Sequence, residues 1–234
     1  MIKNRADYLF YLECDKKALG IDSWWPSILT NNIWRYERLL RRVEYFMNCK
    51  KAFIYKPYIK FMRYLLARRG TVLGFSIGPN IFGPGLSIGH CGPIIVNDYA
   101  LVGENCRIHS CVYIGTQAGF SSKVPKIGNN AYIGPGAKIF GDIELADDIA
   151  IGANAVVNTS FTESHITIGG VPARKISDKG SEGLIIPATE IIKVNSFSHS
   201  DIRGHFEFIL PLIICASLIG PENFWEAISY TMPF

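Results

Sequence analysis

Between Ile77 and about Ile176 an aliphatic residue or Phe recurs in steps of six, at positions 82 and 88, then 96, 102, 108 and 114, then 127, 133, 139, 145, 151 and 157. Gly often follows it, as in Phe82-Gly83, Ile88-Gly89, Val102-Gly103, Ile114-Gly115, Ile133-Gly134 and Ile151-Gly152. A period of six fits neither an amphipathic helix nor a flat alternating strand. It predicts a short-coil parallel β-helix, in which three hexads make one turn of a triangular prism and the aliphatic side chain points inward. Gly after the aliphatic suits a tight corner that needs a positive φ. Two steps break the period: eight residues from Ile88 to Val96, and thirteen from Ile114 to Ile127.

Upstream the pattern is helical. Asp7 to Leu19 has apolar residues at helical spacing and stops at Gly20. Trp24-Trp25-Pro26 begins a connection. Asn31 or Asn32 caps a second helix, Ile33 to Met47, with Ile33, Tyr36, Leu39/Leu40, Val43 and Met47 on one stripe. A third helix is expected from about Tyr58 to Arg69, ending at Gly70. The predicted organisation is a basic α-helical domain over 1–73, a β-helix over 74–178, and a linker and apolar tail over 179–234. Lys179-Gly180-Ser181-Glu182-Gly183 reads as the linker, and the tail, with Trp225 near its end, is expected to pack against the prism. Its most apolar run, Phe208 to Gly220, contains Pro211 and falls short of the ~20 residues a bilayer span needs.

Charge sharpens this division. The net charge of +4 conceals 15 Lys/Arg against 6 Asp/Glu in residues 1–70, and 9 against 14 in the remainder. The basic part reads as a solvated helical face, or as one turned toward an anionic membrane surface or a phosphorylated substrate. No nucleic-acid-reading module accompanies it, so nucleic acid is not an expected partner. A hydrophobic fraction of 48% with 19% charged residues describes a globular chain rather than a disordered one. Six scattered Cys without a Cys-x-x-Cys pair, and no secretory pattern at Met1-Ile2-Lys3-Asn4, point to a reducing cytoplasm.

Three stretches carry a resemblance: Phe82-Gly83-Pro84-Gly85-Leu86-Ser87-Ile88-Gly89-His90, Ile127 through Ile143, and Ile168-Gly169-Gly170-Val171-Pro172-Ala173-Arg174-Lys175. They resemble the hexapeptide-repeat acyltransferases, and within them the serine acetyltransferases and their shorter relatives in surface-polysaccharide gene clusters. The resemblance spans about residues 1–180. It implies a left-handed β-helix, a homotrimer or dimer of trimers, and acetyl transfer from acetyl-CoA to a small-molecule hydroxyl.

Such transfer needs a base for the hydroxyl proton and donors for the developing oxyanion, and an imidazole suits the first task near neutral pH. By the same resemblance His90 is the base. His109, which follows Ile108 and so is expected near a turn, is a second catalytic candidate, with core and substrate-contact roles both open. Gly115, Thr116, Gly134, Ala137, Gly152 and Ala153 would line the cofactor groove, with Arg174 and Lys175 near the nucleotide phosphate. His90-Cys91 has no further ligands or base at a useful spacing, so neither a metal nor a nucleophilic dyad is expected.

The chain departs from the family pattern in places. The family's strand ends Asp-His; here it is Gly89-His90. An earlier Asp is replaced by Phe75 or Ser76. In Ser122-Lys123-Val124-Pro125-Lys126-Ile127 a second active-site His is missing, and Lys123 stands where the family has an Arg associated with the serine carboxylate. The C-terminus, Met232-Pro233-Phe234, differs from the family's terminal Ile that docks cysteine synthase. The expected acceptor is therefore L-serine or a sugar of a surface-polysaccharide precursor, with the basic domain holding the enzyme near a membrane where a lipid-linked sugar is presented. Nucleotide-sugar N-acyl transfer is also compatible with the prism, and a non-catalytic trimeric scaffold is the reading from a different class.

Overall fold

The computed structural model describes residues 1–22, 30–120 and 123–196. Trp24-Trp25-Pro26, Ser122, His199, His205, the Phe208 to Gly220 run, Trp225 and the C-terminal Met232-Pro233-Phe234 lie outside the described residues. Helix α1 (Arg5–Ala18) is capped by Asn4, whose side chain accepts from the Asp7 N–H, and α2 (Asn32–Cys49) by Asn31, which accepts from Trp34. After a 3₁₀ turn (Phe53–Tyr55), α3 (Lys56–Leu73) starts with Pro57 in its first turn. It does not stop at Gly70. A Cβ on Gly70 would sit 2.5 Å from the Phe75 carbonyl oxygen, so this glycine lets the helix pack closely. The stop is Gly74, left-handed at φ 83°.

Three parallel ladders follow. The first face comprises β1 (Phe75–Ser76), β3 (Ile94–Val96), β6 (Val112–Gly115), β9 (Lys138–Phe140) and β12 (Val156–Val157). The second comprises β4 (Leu101–Val102), β7 (Lys126–Ile127) and β10 (Glu144–Leu145), extended at its ends by bridges at Phe82 and Phe161. The third comprises β2 (Ser87–Ile88), β5 (Arg107–Ile108), β8 (Tyr132–Ile133), β11 (Ala150–Ile151) and β13 (Thr167–Gly169). The chain visits the faces in turn, so five coils stack, and β14 (Arg174–Ser177) closes the last by pairing antiparallel to β13. A further helix, α4 (Ala188–Ser196), packs Ala188 against Cys14 and Ala18 of α1.

Every one of the predicted inward positions from Phe82 to Val157 is buried. A second inward position lies two residues earlier in the coil and takes small or aliphatic residues: Ala100, Cys106, Val112, Ala131, Ala137, Ile143, Ile149 and Ala155 are all buried. The glycines after the aliphatics have another purpose than the one expected. None of Gly83, Gly89, Gly103, Gly115, Gly128, Gly134 or Gly152 has a positive φ. A Cβ on Gly83 would meet the next coil's Gly103 carbonyl oxygen at 2.7 Å, and one on Gly134 the Ile151 carbonyl oxygen at the same distance. These positions are kept small by close stacking. The left-handed residues fall later in the corners, at Asn105, Asn130 and Asp148, whose side chains form a ladder from coil to coil.

The helices and the prism share one continuous core that includes Tyr36, Leu40, Val43, Met62, Leu66 and Leu73. Their junction also holds buried charged groups. Arg41, one of the cations of the basic part, is fully buried; it pairs with Asp15 at 2.7 Å and Glu44 at 3.0 Å, and donates to the carbonyls of Phe82 and Gly83. Asp15 accepts from the N–H groups of Gly85 and Leu86, Glu37 from Ile88 and Glu44 from Asn80. The first coil has no coil before it, so these side chains satisfy backbone groups that another strand would otherwise take. The 179–183 stretch is likewise no loose linker. Gly180 and Ser181 are buried, and the Ser181 N–H donates to the Asp148 carbonyl.

Candidate active site

The turn from the third face to the first carries the two histidines. Register aligns Ile88, Ile108, Ile133, Ile151 and Ile168 along the third face, so the corner column beside them reads Gly89, His109, Gly134, Gly152 and Gly169. His109 is the one residue of that column with a side chain. His90 follows Gly89 in the eight-residue break, exposed, with its ring centroid 6.0 Å from that of His109.

His109 is half-buried. A Cβ added to Gly89 would lie 2.8 Å from its Nδ1 and 3.0 Å from its Cε1, so the imidazole fills the space a side chain at 89 would need. Its Nε2 is buried without a hydrogen-bond partner. Burial, then the positive charge of Arg107, then His90, pull its pKa below the usual histidine value, which keeps the ring neutral at pH 7. Tyr132 stands beside it at 5.2 Å between ring centroids. Arg107 and Tyr132 were not among the sequence candidates. Arg107 shares the outward side of β5 with His109, two residues away, and Tyr132 is its register partner on the next coil. An outward-facing count along the hexads would have found both.

The other candidates divide between two corners. Gly134, Gly152 and the exposed Ala153 lie on the histidine corner. Gly115 and Thr116 lie on the next, where β6 leads into the segment that fills the thirteen-residue break. Lys123, in that segment, packs its ammonium over the Phe120 ring at 4.3 Å. The two corners are opposite edges of the first face, so within one chain Lys123 is not gathered to the histidines. Ala137 occupies the inward position, fully buried, with its carbonyl accepting from the Tyr113 N–H; its side chain does not line an outer groove. Gly115 is covered by the Tyr113 ring, which occupies the place a Cβ would take.

Arg174 and Lys175, both in β14, differ in circumstance. Lys175 bonds Asp178, at 2.6 Å, and Glu163, and these in that order raise its pKa; two carboxylates already use its charge. Arg174 is exposed, and no salt bridge engages it among the described residues. Lys138, absent from the sequence candidates, staples the histidine corner by donating to the carbonyls of Cys111 and Gly136 at 2.8 and 2.7 Å. Among the described residues no three His, Cys, Asp or Glu side chains gather where an ion would sit.

No protein-family model matches the chain. A serine acetyltransferase of Synechococcus elongatus is 32% identical over 130 residues, which are 54% of this chain and 53% of that protein. The chain spans about half the length of the curated relatives it matches. The crystal structure of serine acetyltransferase from Brucella abortus has a TM-score of 0.62 at 26% identity, over 76% of this chain and 72% of that one. Its structure in complex with coenzyme A has a TM-score of 0.61 at 25% identity, over 75% and 68%. In sequence and in fold, the chain is similar to serine acetyltransferases.

Proposed function

We propose that the chain is an acetyl-CoA-dependent O-acetyltransferase, built on a left-handed β-helix and acting by direct transfer with His90 as general base. The observation that carries the reading is an exposed imidazole beside a second, neutral imidazole on the next coil, with glycines at the same corner of the coils beyond. In the reaction, His90 takes the acceptor hydroxyl proton as the oxygen attacks the thioester carbonyl. The oxyanion of the tetrahedral intermediate would be met by backbone N–H groups of the corner other than those of Gly89, Gly134 and Gly152, which already donate to the Ile108, Ile151 and Ile168 carbonyls. Collapse breaks the C–S bond, and the departing thiolate recovers the proton from His90. Gly134, Gly152 and Ala153 would flank the pantetheine arm, with Arg174 as the cation for the nucleotide phosphate.

The separation of Lys123 from His90 supports a trimer, alone or paired into a dimer of trimers. An adjacent copy would bring its own 116–125 segment to the histidine corner, where Lys123 would meet the acceptor. The likeness to serine acetyltransferases favours L-serine as acceptor; Gly89, the missing second His of the 122–127 stretch and Lys123 favour a sugar hydroxyl of a surface-polysaccharide precursor. The enzyme would work in the cytoplasm, with its basic N-terminal part facing a membrane when the acceptor is lipid-linked. Among the described residues no helix is long and apolar enough to cross a membrane.

The test is thiol release from acetyl-CoA with L-serine and with a panel of sugars. His90→Ala should lower the rate by about 10²–10⁴-fold with whichever acceptor is used. An unchanged rate removes His90 from the mechanism. Absence of coenzyme A binding in calorimetry would favour a non-catalytic scaffold.

A further inference from the structure

The outward side of α3 does not have the composition of a solvated helix face. The helix buries Met62, Leu66, Gly70 and Leu73 along one side. On the opposite side stand Lys60, Phe61, Tyr64, Arg68 and Val72, following each other at helical spacing. Phe61 and Tyr64 are more than half exposed and Val72 is 81% exposed; the preceding turn adds Phe53 at 77% and Ile54 at 74%. Beside them Lys56, Ile59, Lys60, Arg63 and Tyr64 line a shallow groove of about 450 Å³.

Charge says what this side meets. From Tyr45 to Asn97 there are seven Lys/Arg and no Asp or Glu. Among the described residues no salt bridge engages Lys56, Lys60, Arg63 or Arg68. A two-fold contact of this side with the same side of a second copy would set these cations against their own kind. A nucleic acid would use the cations but leave Phe53, Ile54 and Val72 in water. Interleaved cations and apolar side chains on one helix face suit a bilayer interface, where Lys and Arg reach phosphates while the rings and branched side chains enter the acyl boundary.

We propose that the outward side of α3, with the turn before it, docks on a bilayer surface rich in anionic lipid headgroups. This rests on the membrane-facing reading of the basic domain and is independent of acetyl transfer. The experiment is co-sedimentation of the full chain with phosphatidylcholine vesicles with and without phosphatidylserine, across a salt series. Binding should require phosphatidylserine and weaken with salt. Lys60→Gln with Arg68→Gln should weaken it roughly 25-fold, about fivefold per cation. Phe61→Ser with Val72→Ser should weaken it too, with the salt dependence unchanged. All variants should release thiol from acetyl-CoA with a soluble acceptor as the unmodified chain does. No phosphatidylserine-dependent binding overturns both the docking face and the membrane-facing reading. Binding by the unmodified chain that neither variant weakens overturns the α3 face alone. Loss in the charge variant only, with duplex DNA competing as well as vesicles, overturns the lipid assignment in favour of a general polyanion surface.

Discussion

The contact between His109 and Gly89 can be tested by filling the glycine. Gly89 has no positive φ, so Gly89→Ala meets no backbone obstacle, and the loss of unfolded-state freedom alone would stabilise the fold by ~0.4–1 kcal/mol. The new Cβ would lie 2.8 Å from His109 Nδ1 and 3.0 Å from Cε1, inside van der Waals contact. Overpacking of this kind costs about 1–3 kcal/mol. The strand cannot easily recoil, because the Gly89 N–H donates to the Ile108 carbonyl at 2.8 Å. The expected net effect is a loss of ~1–2 kcal/mol. In a His109→Ala background the ring is gone, and the same substitution should be neutral or slightly stabilising. The assay is urea denaturation of the two single variants, the double variant and the unmodified chain, at one protein concentration and at pH 8, where His109 is neutral. A coupling energy of about 1–3 kcal/mol is expected between the sites. Gly89→Asp, which would rebuild the Asp-His order, should show the same dependence on His109. An equal loss in both backgrounds would refute the idea that the imidazole occupies the place of an acidic side chain.

Arg41→Met would leave Asp15 and Glu44 buried without their cation, and should destabilise by about 3–5 kcal/mol in denaturant titration. Glu37 is fully buried with Oε2 unpartnered, and burial, then Asp15, push its carboxyl well above the usual range. A raised folded-state pKa gives stability that is full below the unfolded carboxylate pKa, about 4.3, and is lost as pH rises through the folded value. Glu37→Gln should therefore gain stability relative to the unmodified chain as pH rises, a trend that thermal melts across pH would reveal. On the cofactor side, Arg174→Ala should raise the KM for acetyl-CoA several-fold, and Lys175→Ala much less, since Glu163 and Asp178 already hold that ammonium. Equal effects in steady-state kinetics would contradict the division of roles.

The prism was legible because its inward positions repeat along the chain itself. An aliphatic residue every six places leaves a signal that survives two interruptions, and those interruptions mark the corner with His90 and the segment with Lys123. The second inward position was harder to see, since Ala100, Cys106 and Ala131 look like filler until the coil geometry shows them facing the core. Gly70 was misread as a helix stop because a glycine needed for close approach and one needed for a left-handed cap look alike in sequence. The burial of Arg41 is not visible in the charge pattern, because its partners, the Phe82 and Gly83 carbonyls, lie more than forty residues away. The contact between Gly89 and His109 depends on a coil of twenty residues, including the irregular eight-residue step. A period of six alone does not set that register.

A stack of coils has no natural length. Each coil presents to the next the same row of N–H and C=O groups it received, so nothing in the repeat says where to begin or finish, and a bare end invites another chain to continue it. Here the two ends are terminated by different chemistry. At the last coil β14 runs the other way, presenting a reversed strand to whatever follows. At the first coil, carboxylates and a guanidinium on α1 and α2 take the backbone bonds a preceding coil would have made. The charged knot between helices and prism is thus a stop signal for polymerisation. Its loss should appear first as fibrous or soluble aggregates, before any fall in helix content.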